Sequence, residues 1–214
     1  NYTEAHKDFR ERLRLFLEKE ITPFGDQWEK DGIVPKSAWQ KMGQGGFLCP
    51  DVAVEYGGLG GDFLYALIAA EEMTKTWITG LATPLHSDIV VPYISSFGSE
   101  EIKKKYLPGC VSGDIVTAVA MTEPGAGSDL ASIETTAVEE DQEVVIDGSK
   151  TFISNGLNAD LVVVAAKDPV VENPYEALSL YVVESGTPGF STGRHLEKMG
   201  MWSQDTAELF FSKC

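Results

Sequence analysis

The chain has 214 residues, with 17 basic and 33 acidic side chains and a formal net charge of −16 at pH 7. This balance argues against a nucleic-acid partner, because neutralising phosphates requires a basic stripe. No apolar run reaches the roughly 18 residues of a membrane span, and the first residues lack the basic start and apolar core of a signal peptide.

Helical periodicity dominates the first 115 residues. Apolar residues recur at helical spacing from Phe9 to Ile21, with charged residues between them, and Thr22-Pro23 ends the pattern. A weaker helical pattern follows at Ser37–Gln44. Residues Glu55–Asp62 include four glycines, which allow positive φ and close backbone approach and disfavour a regular element.

Three further helices are predicted in this half of the chain. Asp62 can cap the first of them. The second is predicted over Leu81–Phe97, although its two prolines should confine or kink it. Ser99 can cap the third, which begins with two acidic residues near the positive end of the helix dipole. We expect Leu107-Pro108-Gly109 to end it.

Beyond Gly113-Asp114 the period changes to two, which is typical of strands. The predicted strands are Val116–Met121, Glu134–Val138, Glu143–Asp147, Leu161–Ala165, Leu180–Val183 and Ala207–Phe211. Turn formers lie between them, among them Asp147-Gly148 and Asn155-Gly156. The sequence therefore predicts an α+β chain, with a helical N-terminal domain over residues 1–115 and an antiparallel β domain over residues 116–214.

The last predicted strand indicates whether the sequence is a whole protein or part of one. Ala207–Phe211 alternates, so Leu209 and Phe211 need a second layer to cover them. The sequence stops three residues later. We therefore expect this chain to be part of a longer protein.

The loop Met121–Asp129 is the most unusual stretch. It carries two glycines, a proline and a hydroxyl at each end, so it could direct consecutive backbone N–H groups at one anionic ligand. It is not a dinucleotide fingerprint, because Gly125-Ala126-Gly127 lacks the third glycine. The alternative is a plain strand-to-loop turn, in which Ser128 or Asp129 serves as a cap.

A second candidate is the segment Phe152–Gly156. Its alternating aromatic, apolar and hydroxyl side chains could line a flat, partly polar ligand. Alternatively, Phe152 is a core residue and Asn155-Gly156 is a hairpin turn. Elsewhere, three widely spaced cysteines indicate reduced thiols, and the three histidines lack metal-ligand spacing. The sequence therefore predicts neither a disulfide nor a metal site.

Five segments match the motifs of a known family in order. AMTEPGAGSDL and DGSKTFISNG are similar to the flavin-binding β domain of acyl-CoA dehydrogenases, and EYGGLGGD and FGSEEIKKKYLPGCVSGD resemble that family's helical N-terminal domain. GFSTGRHLEKMGMWSQDTAELFF resembles the end of its middle domain. The resemblance covers essentially the whole chain and is nearest to the long-chain and isovaleryl-type branch. It implies a β-barrel-like middle domain, whereas the family's C-terminal helical bundle has no counterpart among these residues.

The resemblance also implies FAD as the cofactor and assigns residues to it. The segment along the flavin's pyrimidine edge corresponds to Val119, Ala120, Met121 and Thr122. The Met121 backbone and the Thr122 hydroxyl would meet the ring's polar atoms. The residues approaching the pyrophosphate correspond to Gly127 and Ser128, and Ser128 would also contact the acyl-CoA. The triplet packed at the ring corresponds to Phe152, Ile153 and Ser154, with the hydroxyl near N5, where many members have Trp-Ile-Thr.

The implied reaction is the dehydrogenation of an acyl-CoA thioester to a trans-2-enoyl-CoA, with electrons passing to an electron-transferring flavoprotein. The family enzyme is a homotetramer, here of a bacterial cytoplasm or the mitochondrial matrix. Its glutamate base lies in the C-terminal bundle, and Glu123 does not match that position. We therefore expect no catalytic base in this chain and no activity from it alone. Two alternatives stay open: an oxidase or monooxygenase on the same scaffold, and a short, non-catalytic binding or assembly protein.

Overall fold

The computed structural model describes residues 1–141 and 143–214, which form two compact units. The first unit comprises residues 1–116 and 198–204, and the second comprises residues 117–197 and 205–214. The first is helical and the second is built on a β-sheet, which confirms the predicted fold class. Residues 198–204, assigned from the sequence to the β domain, pack with the helical unit.

The α-helices of the first unit are α1 Glu4–Glu20, α2 Gly25–Asp31, α3 Lys36–Gln44, α4 Phe63–Lys75, α5 Val91–Phe97 and α6 Glu100–Ser112. Helix α1 buries Phe9, Leu13 and Leu17 along one face, as their spacing predicts. Among the described helices, none has the length and apolar character needed to cross a bilayer.

Side-chain caps start two of these helices as predicted. Asp62 accepts the Leu64 N–H of α4 at 3.0 Å, and Ser99 accepts the Ile102 N–H of α6 at 3.3 Å. Asp62 also contacts Nε2 of the buried His6 at 3.0 Å, so the start of α4 is tied to α1. Capping bonds of this kind stabilise a helix because its first N–H groups have no partner within the helix.

Two helix boundaries differ from the prediction. The expected end of α6 at Leu107-Pro108-Gly109 is wrong: Pro108 lies inside the helix, which continues to Ser112. The helix stops only at Gly113, whose φ is 78° and where a Cβ would lie 2.3 Å from the Trp39 carbonyl oxygen. The helix predicted over residues 81–97 begins two residues late, at residue 83, and is a π-helix over Leu85–Val90 before it leads into α5.

The π-helix carries a carboxyl group whose ionisation opposes folding. Burial, with a smaller contribution from Asp51, raises the pKa of Asp88 from 3.8 to about 6. A raised carboxyl pKa means that the folded state holds the proton more tightly than the unfolded chain. Stability is therefore lost as the pH rises from about 4 to about 6 and stays lower above that range.

Replacing Asp88 with asparagine should therefore stabilise the protein at neutral pH. Because solvent still reaches the carboxyl, we expect a gain of only about 1 kcal/mol. Thermal melts at pH 7.5 and at pH 3.5 check this: the variant should melt higher at pH 7.5 and like the wild type at pH 3.5. Equal shifts at both pH values would contradict the assignment to ionisation.

Residues 198–204 are attached to the helical unit through one carboxylate. Glu29 of α2 accepts the Trp202 N–H at 2.9 Å, the Ser203 N–H at 3.3 Å and the Ser203 hydroxyl. Burial alone would raise the pKa of Glu29, but these hydrogen bonds outweigh it and lower the pKa. Glu29 is thus ionised at neutral pH and holds residues 198–204 with charge-assisted hydrogen bonds.

The second unit is one seven-stranded sheet in the order β1-β4-β2-β3-β7-β6, with β5 paired to β4. The strands are β1 Thr117–Ala120, β2 Thr136–Glu140, β3 Glu143–Ser154, β4 Leu161–Lys167, β5 Leu178–Glu184, β6 Phe190–His195 and β7 Thr206–Phe211. The pairing is mainly antiparallel, as predicted, but β1 and β2 both pair with β4 in parallel. Small and branched side chains of β1, β3, β4 and β7 form the core, among them Ala118, Ile146, Val162 and Leu209.

The sheet corrects two predictions about its strands. Asp147-Gly148 is not a turn, because β3 runs through it and Gly148 pairs with Phe211 of β7. Strand β6 is missing from the prediction, since its sequence is mostly polar and three of its six residues are exposed. The turn predicted at Asn155-Gly156 is confirmed, and Asn155 adopts a φ of 62° there.

Candidate cofactor site

A β-bulge near the end of β3 turns one aromatic side chain outward. The register between β3 and β7 shifts between Lys150 and Ile153. Before the shift Ile146 and Lys150 face inward, and after it Ile153 does. Phe152, at the bulge, has a φ of 59° and is 70% exposed. The interpretation of Phe152 as a core residue is therefore wrong, and its ring is free to contact a planar ligand.

The loop after β1 is tied to β3 beside this bulge. The Thr122 hydroxyl donates to the Thr151 carbonyl oxygen, and the Thr151 N–H donates to the Thr122 carbonyl oxygen at 2.9 Å. In residues 1–141 and 143–214 no atom accepts the Thr122 N–H. The structure thus brings Thr122 to the bulge and leaves one backbone donor there available to a ligand.

A buried ion pair supports the same loop from inside. Lys150 Nζ donates to Glu123 Oε1 at 2.8 Å and to the Met121 carbonyl oxygen at 3.0 Å. Glu123 also accepts the backbone N–H groups of Glu134 at 2.6 Å and Thr135 at 3.0 Å. The Lys150 side chain is 0% exposed and that of Glu123 is 6% exposed.

The electrostatics of this pair follow from burial and hydrogen bonding. Burial alone would raise the pKa of Glu123, but the donors around it, led by Lys150, outweigh burial and lower the pKa. Burial lowers the pKa of Lys150, and Glu123 offsets part of that effect. Donors from Lys150, Glu134 and Thr135 occupy both carboxylate oxygens of Glu123. This carboxylate therefore holds the loop and is not free to act as a base.

The outer part of the loop is open. Glu123 and Ala126 form a bridge, with N–H to carbonyl distances of 2.8 and 3.2 Å, which turns the chain over Pro124-Gly125. Gly125 and Gly127 have no positive φ, and a Cβ at either would have no atom within 4 Å. Packing within the described chain therefore does not require glycine at these positions, whereas a ligand approaching the backbone closely would.

The capping alternative for this loop is wrong. The short 3-10 helix at Leu130–Ser132 has no side-chain cap, and the Asp129 carboxylate instead accepts the Ser132 hydroxyl at 2.6 Å. Ser128 is exposed and makes no such bond in the described chain. Its hydroxyl is left available to a ligand.

The remaining predicted residues divide by exposure. Ala120 and Ile153 are buried in the β core, so they can reach a ligand only through their backbones. Val119 and Met121 are partly buried. Ser154 is also partly buried and pairs with Thr206 through the β3–β7 ladder. No described atom bonds its hydroxyl, which lies two residues beyond Phe152.

A buried carboxylate fixes the turn that follows Ser154. Asp205 accepts the N–H groups of Leu157 at 2.8 Å and Asn158 at 2.9 Å. Burial raises the pKa of Asp205, although these bonds partly offset it. Asn155 donates its side-chain amide to the Thr117 carbonyl oxygen at 3.0 Å. The end of the triplet is therefore held by the turn on one side and by β1 on the other.

Sequence reasoning missed Lys150, Asp205 and the structural role of Glu123. One signal for Lys150 was present: it has the same parity in β3 as the apolar Ile146, so it had to lie on the inward face. A lysine there requires a buried anion. Asp205 gave no comparable signal, since its partners lie 47 and 48 residues away.

The donor set fits a flat ligand with a polar edge, as the expected flavin has. The Thr122 N–H and the Ser154 hydroxyl are donors without described acceptors. The exposed Phe152 ring lies two residues before Ser154 in β3. Open backbone at Gly125 and Gly127 suits an anionic extension of such a ligand. Among the described residues no cluster of histidine, cysteine or carboxylate side chains could hold a metal ion.

Comparison with known proteins gives matches along the whole chain. The protein-family model "Acyl-CoA dehydrogenase, N-terminal domain" matches residues 3–114, and the family model "Acyl-CoA dehydrogenase, middle domain" matches residues 118–214. The long-chain specific acyl-CoA dehydrogenase of Mus musculus mitochondria is 44% identical over 98% of this chain, and the isovaleryl-CoA dehydrogenase of Solanum tuberosum mitochondria is 35% identical over all of it. The chain covers 49% and 52% of those two proteins, about half of their length. The crystal structure of an acyl-CoA dehydrogenase from Geobacillus kaustophilus matches 99% of the chain, with 54% identity and a TM-score of 0.96, over 56% of its own length.

Proposed function

The chain belongs to the acyl-CoA dehydrogenase family, as its motifs predicted, and from that premise we propose that it forms the front half of an FAD-dependent enzyme that oxidises acyl-CoA thioesters to trans-2-enoyl-CoA. The observation that carries the proposal is the bulge of β3. It presents Phe152 in a strained, exposed conformation beside the free N–H of Thr122. Strain of this kind persists where the fold enforces it, most often at functional sites.

The bound flavin would supply the acceptor for a hydride from the β-carbon of the acyl group. This chain would bind and orient it: Thr122 N–H would donate to the pyrimidine edge, Ser154 would donate near N5, and Phe152 would pack on the ring. Gly127 and Ser128 would lie at the pyrophosphate, and Ser128 would also contact the acyl-CoA. The open backbone at Gly127 and the exposed Ser128 hydroxyl support that placement.

The base that removes the α-proton would come from outside this chain. Glu123 is engaged by Lys150 and two backbone N–H groups, which supports leaving it out of the chemistry. A dry site and a positioned base are requirements of α-proton removal, so the proposal needs a further helical domain. The whole enzyme would act as a tetramer and pass electrons to an electron-transferring flavoprotein, in a bacterial cytoplasm or the mitochondrial matrix.

The test compares the full-length protein with residues 1–214 alone. Under anaerobic conditions octanoyl- or palmitoyl-CoA should bleach the flavin absorbance of the full-length protein, and mass spectrometry should detect the enoyl-CoA. The isolated chain should bind FAD weakly and turn over far more slowly than about 1 per second, an ordinary enzyme rate.

Three results would contradict parts of the proposal. Enzyme-like turnover by residues 1–214 would place a base in this chain. Rapid reoxidation of the reduced full-length protein by air would favour an oxidase. A native protein of 23.3 kDa, the mass of this chain, would favour a short binding or assembly protein.

A further inference from the structure

Lys150 reaches the proposed flavin site only indirectly, through the peptide bond between Met121 and Thr122. Its ammonium group donates to the carbonyl oxygen of that peptide at 3.0 Å. The other polar atom of the same peptide is the Thr122 N–H, which no described atom accepts. One peptide group therefore has a buried cation at one end and an open donor at the other.

This arrangement strengthens the open donor. A cation on a peptide oxygen draws electron density from the nitrogen, so the N–H becomes more positive, and the effect is larger where water is excluded. Lys150 is fully buried, so solvent does not screen its charge. Glu123 neutralises the ammonium, but the N–H groups of Glu134 and Thr135 share that carboxylate's charge.

The same contacts fix where the donor points. Thr122 is tied to β3 by its hydroxyl and its carbonyl oxygen, and Lys150 adds the third tie, at Met121. Without Lys150 the two ties at Thr122 remain, so the loop would loosen without being released. Removing Lys150 should therefore slow flavin reduction only moderately. Most of that effect should come from the weaker Thr122 N–H donor.

We propose that Lys150 is a positioning residue for the flavin, acting through the Met121–Thr122 peptide to orient the Thr122 N–H and to strengthen it as a donor. This inference rests on the proposed function, because it assumes that a flavin accepts that N–H. A stronger donor at the pyrimidine edge favours the electron-rich reduced ring. Lys150 should thus raise the flavin potential and speed flavin reduction.

The test uses the full-length, flavin-loaded protein with two variants, Lys150→Met and the double variant Lys150→Met with Glu123→Gln. The double variant leaves no unpaired buried charge, so it should recover most of the thermal stability that the single variant loses. Both variants should still have a lower flavin midpoint potential and be reduced by acyl-CoA roughly tenfold more slowly, the size expected for one weakened charge-assisted bond.

Arg194→Met is the matched control. Arg194 lies in the same unit, 3.8 Å from Glu208, and its side chain is 81% exposed. Its removal should change neither the potential nor the rate. Potential and rate are measured per bound flavin, so partial unfolding does not distort them.

A double variant with recovered stability and wild-type potential and rate would overturn the inference and leave Lys150 a purely structural role. Failure of the wild type to be bleached by acyl-CoA would instead contradict the proposed function. The two failures are therefore distinguishable.

Discussion

Replacing Glu123 with glutamine should lower the free energy of unfolding by about 3–5 kcal/mol, because it leaves the Lys150 ammonium buried without a counter-charge. The loss is large because the Lys150 side chain is inaccessible to water and Glu123 is its only acidic partner among the described residues. The Glu134 and Thr135 N–H groups donate to different oxygens of Glu123. Glutamine keeps only one acceptor oxygen, so the measured loss includes one broken backbone hydrogen bond as well as the lost charge. Urea unfolding at pH 7 measures the difference.

The control for this prediction is Glu208→Gln. It makes the same chemical change in the same unit, but its partner Arg194 is 3.8 Å away and largely exposed. An exposed pair of this kind contributes at most about 1 kcal/mol. Equal losses of unfolding free energy in the two variants would show that the buried pair stabilises the protein no more than the exposed one.

The effect of Glu123→Gln should also depend on pH. The pKa of Glu123 is lowered in the folded protein, so its contribution is fully present above the unfolded value of 4.5. It is lost as the pH falls through the lower folded value. The gap between wild type and variant should therefore narrow in acid.

Replacing Ser154 with alanine should slow flavin reduction in the full-length enzyme ten- to a hundredfold, the range of one lost hydrogen bond to a developing charge, roughly 1.5–3 kcal/mol. No described atom bonds the Ser154 hydroxyl, so thermal stability should hardly change. Stopped-flow reduction by substrate, beside a thermal melt, measures both quantities. The exposed Ser191 of β6 provides the matched control, since Ser191→Ala should change neither.

Thr122→Val is expected to behave differently. Valine keeps the shape of threonine and removes only the hydroxyl. In the structure the Thr122 hydroxyl donates to the Thr151 carbonyl oxygen, so valine should cost about 1 kcal/mol of stability. The reduction rate should fall with it, because the Thr122 N–H loses one of the ties that orient it. If both variants kept normal reduction rates and only stability fell, these hydroxyls would serve turns and not the flavin.

The sequence predicts the two-part architecture well because each part has its own period, 3.6 in the helices and two in the strands. It fails where a contact between distant segments overrides a local signal. Pro108 is a strong local stop signal, but the buried Leu107 and Cys110 around it hold the last turns of α6 in place. Strand β6 depends on pairing with β7 and carries no apolar alternation of its own.

The candidate site shows the same division. The residues proposed to contact the flavin lie in two motifs that a family resemblance identifies one by one. The contacts that hold those motifs in place come from Lys150, Glu123 and Asp205, which the sequence does not mark as part of a site. Periodicity alone could not reveal that a bulge after Lys150 reverses the parity of β3 and turns Phe152 outward.

The return of residues 198–204 to the helical unit has a consequence for how the chain is made. Glu29 accepts hydrogen bonds from Trp202 and Ser203, which lie 173 and 174 residues later in the sequence. At about 5–20 residues per second, ribosomal synthesis separates these partners by roughly 10–35 seconds. During that interval Glu29 has the Thr79 hydroxyl, 3.4 Å away, as a donor but not the three donors of Trp202 and Ser203, and contacts of such long range are slow to close. A chain cut at residue 116 would lack residues 198–204 and the donors that they give to Glu29, so it would not contain the whole helical unit.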